Sequence, residues 1–528
     1  MTVDDTFYYF KTAHNLSRGL GSTFDGLNPT NGYHPLWLIF LAVVAWLSND
    51  DMALFTRTVF SLQIAMIFVG GLLLSRVRAV GKTRVLWPLT LAILNPFAAK
   101  IVLCGQETAL QFLLSALTLW YWSSIPSEPL LYRSAHTLKL GILCVLATLA
   151  RIDGVFFAAT ILGMPIVLPN ETEQSEGWTA RIRKSAIGLG VLGVGLALYF
   201  AFNYIWYGHL SPVSGAIKLH MSADEVAAPF ARAIATLVSL AGLLGTWWFA
   251  RRNAVLRFLT PALAACFVLA IYNFGVRGEM SPSLVRIWYL EPYLLGAAVV
   301  AGSTLKPTMP RYAKALLTMS VGLWVILAGV SWKYRIEPRS YALYAAAARC
   351  SQWFEKNAAP HSVAGAWDTG FTAAFTQNPV MNLDGLINSW EFKEQYLDKG
   401  KVDDFVFKRH PVDYVIQYAW PRTVRSIAQR FRDGNLPSAP VLQTTVTGSK
   451  DVEALSRRWG VDLAAFYVAH VECVMISVAY DPTRIEGPVH YFVLSRAPVA
   501  NRPTLAAFAR AFANSTSCAD TAPLAGRF

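Results

Sequence analysis

The sequence predicts a polytopic α-helical membrane protein with a water-soluble α/β domain at its C-terminal end. Three observations predict it. Of the 528 residues, 54% are hydrophobic and only 15% charged, against about a quarter charged in an ordinary soluble chain. The apolar residues gather in long runs over the first part of the chain, and mean hydropathy is +0.38. From about residue 336 those runs give way to short, β-like ones. The formal net charge is +13. Its basic residues sit in short loops between apolar runs, as cytoplasmic loops do, so the excess argues for a topology and against nucleic-acid binding.

Taken in order, the chain opens with Asp4 and Asp5 at the head of a helical pattern. Phe7, Tyr8, Phe10, Ala13, Leu16 and Leu20 recur at roughly helical spacing, with Lys11, His14, Asn15 and Arg18 on the other side. Such a helix suits a membrane surface. A loop over 21–34, rich in Gly, Asn and Pro, follows. His34-Pro35-Leu36-Trp37 then opens an apolar run over 34–47. It is shorter than the roughly 20 residues that cross a bilayer and reads as an interfacial or re-entrant helix.

About ten spans follow within 54–331, at 54–75, 85–103, 107–124, 137–151, 153–169, 185–207, 228–250, 256–274, 289–304 and 315–331. If 34–47 does not cross, one set of loops collects Arg76, Arg78, Lys82 and Arg84; Arg133; Arg181, Arg183 and Lys184; Arg251, Arg252 and Arg257; and Lys306, Arg311 and Lys314. That set is cytoplasmic. The other set, with Asp4, Asp5, Glu107, Arg151, Asp153, Lys218, Arg277 and Arg286, is mixed in sign and lies outside. If 34–47 crossed, the basic cluster 76–84 would fall on the side of Asp4. Asp4 on the outer face calls for one more membrane helix upstream of Met1.

Domain organisation therefore reads as 1–335 in and on the membrane, with loop and interfacial helices over 1–53, and 336–528 as an extracytoplasmic α/β domain. Strands are expected at 362–367, 412–418, 441–446, 476–480 and 490–495, and helices at 341–356 and 451–465. At just under 200 residues the domain is large enough for its own core. The cysteines show no Cys-x-x-Cys or His/Cys metal pattern. Asn514-Ser-Thr516 has the form of a glycosylation sequon, with no other sign of a eukaryotic secretory host.

Several polar groups stand out against the apolar background. Asp4-Asp5 is a candidate acid–base pair, or a helix N-terminal cap. Glu107, in Gly105-Gln106-Glu107 between two apolar runs, is a candidate acid or a cap for the next helix. Arg151-Ile152-Asp153-Gly154 breaks an apolar stretch of roughly 30 residues, too long for one span. Lys218, Arg277 and Arg286 can meet an anion, or extend to lipid headgroups. Asp368-Thr-Gly370 and Asn382-Leu-Asp384-Gly385-Leu-Ile-Asn388 read first as turns.

The order Asp4-Asp5, loop, Pro35-Leu36-Trp37 and Arg57 resembles the first external loop of GT-C glycosyltransferases. The resemblance covers about 1–335, and it departs from the family in lacking a helix before the acid pair. It implies a GT-C-like membrane domain and an inverting enzyme that uses a polyprenyl-phosphate sugar donor. The acceptor would be an envelope glycan, lipid or protein outside the cytoplasmic (inner) membrane. It implies Asp4, the first acid, as general base, with Asp5 and Glu107 beside it in the catalytic set. Lys218 is implied as a donor-phosphate ligand by Asn203, Tyr207-Gly208 and Pro212 ahead of it. Arg277 and Arg286 would share that role. His34, Arg151, Asp153, Asn203 and Tyr289 would bind sugar or acceptor or shape the site. The resemblance implies no certain cofactor. A divalent metal is compatible with the family, though the sequence offers no dedicated cage. Two rival readings are a lipid-linked sugar flippase and a membrane scaffold with an external binding domain.

Overall fold

The computed structural model describes residues 4–49, 51–77, 105–124, 130–169, 177–221, 229–251, 254–272, 338–367, 369–419, 466–476, 487–497 and 504. In chain order the helices are α1 (Asp4–Ser17), α2 (Pro35–Leu47), α3 (Met52–Ser75), α4 (Thr108–Ser124), α5 (Leu130–Ala150), α6 (Val155–Val167), α7 (Trp178–Tyr207), α8 (Val213–Met221), α9 (Pro229–Ala250) and α10 (Ala254–Ile271). Then come α11 (Pro338–Asn357), β1 (Ala364–Ala366), α12 (Thr369–Ala374), β2 (Val380–Asn382), β3 (Tyr414–Ala419), β4 (Tyr467–Ile476) and β5 (Gly487–Ser495). By contacts the chain forms two units. One holds His34–Ser211 and Met221–Lys333; the other holds Val3–Tyr33, Pro212–His220 and Tyr334–Phe528.

The first unit is helical. Pro35 opens α2, where its missing N–H costs nothing. With 13 residues at about 1.5 Å each, α2 is shorter than a bilayer core. Asp51 caps α3, its Oδ1 accepting from Ala53 N and Leu54 N at 2.9 Å each. By length and composition Met52–Leu74 and Trp178–Tyr207 suffice to cross a membrane. The apolar parts of α2, α5, α6, α9 and α10 are shorter. The expected spans at 54–75, 107–124, 153–169, 228–250 and 256–274 fall on α3, α4, α6, α9 and α10. Two helices extend beyond their apolar windows: α5 begins at Leu130, not 137, and α7 at Trp178, not 185. A helix continues through polar residues such as Arg181, Arg183 and Lys184 wherever its hydrogen bonds continue; hydropathy marks only the apolar part. The expected spans at 85–103, 289–304 and 315–331 lie outside the described residues.

Small residues let these helices approach. A Cβ on Gly188 of α7 would stand 2.6 Å from Leu162 of α6, and one on Gly195 2.7 Å from Val145 of α5. Gly208 ends α7 with φ 74, the left-handed cap glycine favours.

The second unit is α/β. Its described sheet has the order β2-β1-β3-β5-β4. β1 runs parallel to both β2 and β3, and β5 antiparallel to β3 and β4. The core joins Cys350 and Phe354 of α11 with Ala364, Val380, Ile416 and Val493 of the strands, and it includes Tyr8 and Phe24 from the N-terminal segment. Strands expected at 362–367, 412–418 and 490–495 coincide with β1, β3 and β5, and the helix at 341–356 with α11. β2 is too short to stand out in the sequence, and β4 begins well before the expected 476. The strand at 441–446 and the helix at 451–465 lie outside the described residues.

Candidate active site

The acid pair lies in the α/β unit. Asp4 Oδ2 accepts from Gly370 N at 3.0 Å and its Oδ1 from Phe371 N at 2.7 Å. The carboxylate thereby caps α12 at the carboxyl end of β1. Asp5, one residue on, is turned elsewhere. Its side chain is 37% exposed, and Lys218 Nζ, on α8, stands 3.8 Å from its Oδ2. Each Asp4 oxygen thus accepts one backbone N–H, whereas the Asp5 carboxylate stands beside a cation.

The loop between α1 and α2 places α8 and its lysine. Buried Asp25 accepts from Leu27 N, Asn28 N and Asn28 Nδ2 at 2.7–2.8 Å. Burial pushes its carboxyl above the usual range, against the pull of those Asn28 and Leu27 bonds. Asn15 Nδ2 donates to the carbonyls of Thr23 and Phe24. Asn31 Oδ1 accepts from Val213 N at 3.0 Å and Trp390 Nε1 at 3.2 Å, joining the first turn of α8 to the segment after β2. The turn signals of 21–34 thus build an ordered scaffold.

A second cluster lies within the helical unit. His34 precedes α2, Glu107 precedes α4, Arg151 precedes the 3-10 turn Ile152–Gly154 between α5 and α6, and Asp153 lies within it. Arg151 Nε lies 3.0 Å from Asp153 Oδ1 and 3.8 Å from Glu107 Oε1, and His34 Nε2 3.7 Å from the same Glu107 oxygen. Ile152 N faces His34 Nδ1 at 3.4 Å. Arg151 is 1% exposed. Buried charges survive by pairing, and this arrangement fixes the break between α5 and α6. Gly154 allows the approach: a Cβ there would stand 2.7 Å from Gln111 Nε2. Among the described residues no group of three or more His, Cys, Asp or Glu is set to hold a metal ion. Where His34, Glu107 and Asp153 converge, the guanidinium of Arg151 supplies the positive charge.

Of the remaining predicted residues, Asn203 is buried and its Nδ2 donates to Tyr199 O of its own helix at 2.9 Å. Arg277, Arg286 and Tyr289 lie outside the described residues. Sequence reasoning missed Tyr8, whose hydroxyl donates to Asp384 Oδ2 at 3.0 Å, and Lys11, whose Nζ donates to Thr376 O at 2.7 Å. Tyr8 had counted only as an apolar position. The spacing 4, 8, 11, 15 on α1 was the available signal, because those positions share one helix face.

Residues 334–467 match a family model described as a domain of unknown function, DUF8728. No curated protein matches the chain. The chain is similar to the crystal structure of ArnT from Cupriavidus metallidurans bound to undecaprenyl phosphate, with 11% identity, a TM-score of 0.49 and 94% of each chain covered. It is similar to the apo state of that protein, with 11% identity, a TM-score of 0.40, and 80% of this chain and 89% of that one covered. The Archaeoglobus fulgidus oligosaccharyltransferase in complex with Zn and sulfate is similar at 11% identity and a TM-score of 0.38, over 92% of this chain and 69% of that one. At such identities and scores no residue role or activity carries across.

Proposed function

We propose that the protein is an integral membrane glycosyltransferase of GT-C type that passes a sugar from a polyprenyl-phosphate donor to a glycan, lipid or protein outside the cytoplasmic membrane. The observation that supports this most is the partly exposed Asp5–Lys218 pair, between α1 and α8, with α8 bound to the ordered polar loop through Asn31. In the reaction the bond from the anomeric carbon to the donor phosphate oxygen breaks, and the polyprenyl phosphate leaves with the bonding pair. The acceptor oxygen bonds to the opposite face of that carbon, with inversion, and its proton passes to Asp5. Lys218 compensates the charge that develops on the leaving phosphate, with Arg277 and Arg286 as further donors to it. Asp4 serves by position. Glu107, Arg151, Asp153 and His34 brace the loops of the helical unit, with Asn203 and Tyr289 as site-shaping residues. A divalent metal, where the reaction uses one, would add charge compensation at the phosphate.

The test is transfer from a labelled polyprenyl-phosphate sugar by the purified protein in lipid, alongside glycan analysis of a deletion strain. Release of polyprenyl phosphate with appearance of a glycosylated acceptor is expected. Movement of intact donor across the bilayer, with no bond cleaved, would favour the flippase reading and overturn this one.

A further inference from the structure

Helix α1 is buried on every side from Thr6 to Asn15. Ring packing holds it, with Phe7 edge-on to Phe371 at 4.8 Å and Tyr8 edge-on to Phe24 at 5.5 Å. Directional hydrogen bonds fix its rotation further. Asp4, Tyr8, Lys11 and Asn15 supply them, at i, i+4, i+7 and i+11 along one face. Asp4 accepts from Gly370 N and Phe371 N, Tyr8 donates to Asp384 Oδ2, Lys11 donates to Thr376 O, and Asn15 donates to Thr23 O and Phe24 O.

Two of those partner sets lie just after the parallel strands. β1 leads to Gly370 and Phe371, and β2 leads to Asp384. Asn382, the last residue of β2, links them: its Nδ2 donates to Thr369 Oγ1 at 2.8 Å and faces the Tyr8 hydroxyl at 3.4 Å. Asp384 is itself fixed, its Oδ1 accepting from Leu386 N at 2.9 Å. β1 lies between two parallel neighbours, β2 on one side and β3 on the other. The carboxyl ends of strands at such a point form the crevice where α/β sheets commonly take a ligand. Here the N-terminal helix occupies it. There is no room for variation at the first contact: a Cβ on Gly370 would overlap the Asp4 carbonyl oxygen.

We infer that Tyr8 and Asp384 are positioning residues for the acid pair: their hydrogen bond sets the rotation of α1 and so turns Asp5 toward Lys218. The inference rests on Asp5 as the proton acceptor proposed above. Neither residue meets the substrate. The C-terminal unit thereby becomes part of the transfer machinery and not an appended binding module.

The test compares Tyr8→Phe, Asp384→Asn and the double variant in full-length protein in lipid, with Asp5→Asn as reference and a polyprenyl-phosphate sugar as donor. Tyr8→Phe removes one oxygen and leaves the apolar packing. Misplacement of a reacting group by about 1 Å can cost up to 10²-fold, so kcat is expected to fall about 10-fold in each single variant. The double variant should be no worse than the singles, as for one broken bond. KM for the donor stays within about 2-fold, and the acidic limb of the pH–rate profile moves, which loss of stability alone would not produce. Hydrogen exchange in residues 4–17 should quicken while that of β4 and β5 is unchanged. If Asp5→Asn is inactive and both single variants keep wild-type kcat and pH profile, the positioning role is overturned and the base assignment stands. If Asp5→Asn turns over normally, the base assignment fails and the positioning role goes with it.

Discussion

Exchanging Asp4 and Asp5 for asparagine, one at a time, should separate two roles that adjacent identical residues do not reveal in sequence. Asp4 receives two backbone N–H groups, at 3.0 and 2.7 Å. Asparagine offers one acceptor oxygen, so Asp4→Asn loses one charge-assisted bond, worth about 1.5–3 kcal/mol. It also removes a negative charge from the N-terminus of α12, worth about 0.3–1 kcal/mol. Docking of α1 should weaken by about 2–4 kcal/mol in sum, visible as faster hydrogen exchange in α1 and a lower melting temperature. Turnover should fall only by the fraction of molecules in which α1 has come away. Asp5→Asn disturbs no backbone bond in the described structure, and its partner Lys218 stands at 3.8 Å. Stability should hardly change. Loss of a general base, however, costs roughly 10²–10⁴ in rate, or about 2.7–5.4 kcal/mol of barrier at 1.36 kcal/mol per tenfold. The assay is single-turnover transfer from a defined donor, with donor binding measured separately. An inactive Asp4→Asn with α1 still protected, beside an active Asp5→Asn, would reverse the roles. Near-normal transfer by the double variant would remove the acid pair from the chemistry.

Three further expectations follow from buried charge. Arg151→Met leaves Glu107 and Asp153 buried without their cation and should destabilise the helical unit by about 3–5 kcal/mol; addition of Glu107→Gln and Asp153→Asn should recover most of the loss, and an unchanged melting temperature in the single variant would refute the pairing. Lys218→Met should weaken donor binding by 10-fold or more without lowering stability, because the lysine is partly exposed; equal donor affinity in variant and wild type would remove it from the phosphate site. Burial pushes Lys11 down to about 8, against the opposing pull of Glu355. Since the unfolded chain holds that proton up to the ordinary lysine value, the unfolded state binds more protons above pH 8, and stability should rise with pH from about 8 toward 10. Lys11→Met should flatten that slope in a thermal melt, and an identical slope in the variant would assign it to other groups.

The helices were legible because a membrane-type helix announces itself by composition. The apolar windows that became α3, α4 and α6 are continuous, and the shortness of α2 follows from 34–47 alone. The break at Arg151-Ile152-Asp153-Gly154 was legible for the same reason, since two charges interrupt an otherwise apolar run. β1 lies within the short run 362–367, and β3 and β5 showed as β-branched and aromatic runs. β4 did not. It stands at the edge of the described sheet with a bulge between Val468 and His470, and with His470, Glu472 and Cys473 along its length its pattern lacks the continuous apolar signal of a central strand. β2 spans only Val380–Asn382 and is held in the sheet by its pairing with β1.

That Asp4 and Asp5 are adjacent acids is plain in the sequence, whereas their different surroundings depend on partners far along the chain. Asp4 is bound 366 and 367 positions away, and Tyr8 finds Asp384 at a separation of 376. No local rule reaches that distance. Helical periodicity specifies that Asp4 and Tyr8 share a face, but the apolar and polar sides of α1 read alike for a membrane surface and for the buried position it takes from Thr6 to Asn15. The turns after β1 and β2 carried the missing information in a form that reads as plain turn chemistry. Gly370 read as part of a turn but lies in α12 and is needed for its missing side chain; Asp384 read as a turn former and is both that and the acceptor for Tyr8. Contacts of such high sequence separation close only after the intervening chain has been made and ordered. The observed arrangement of the acid pair therefore depends on distant chain: the backbone groups that hold Asp4 come from Gly370 and Phe371, in the same α/β unit as the acids themselves.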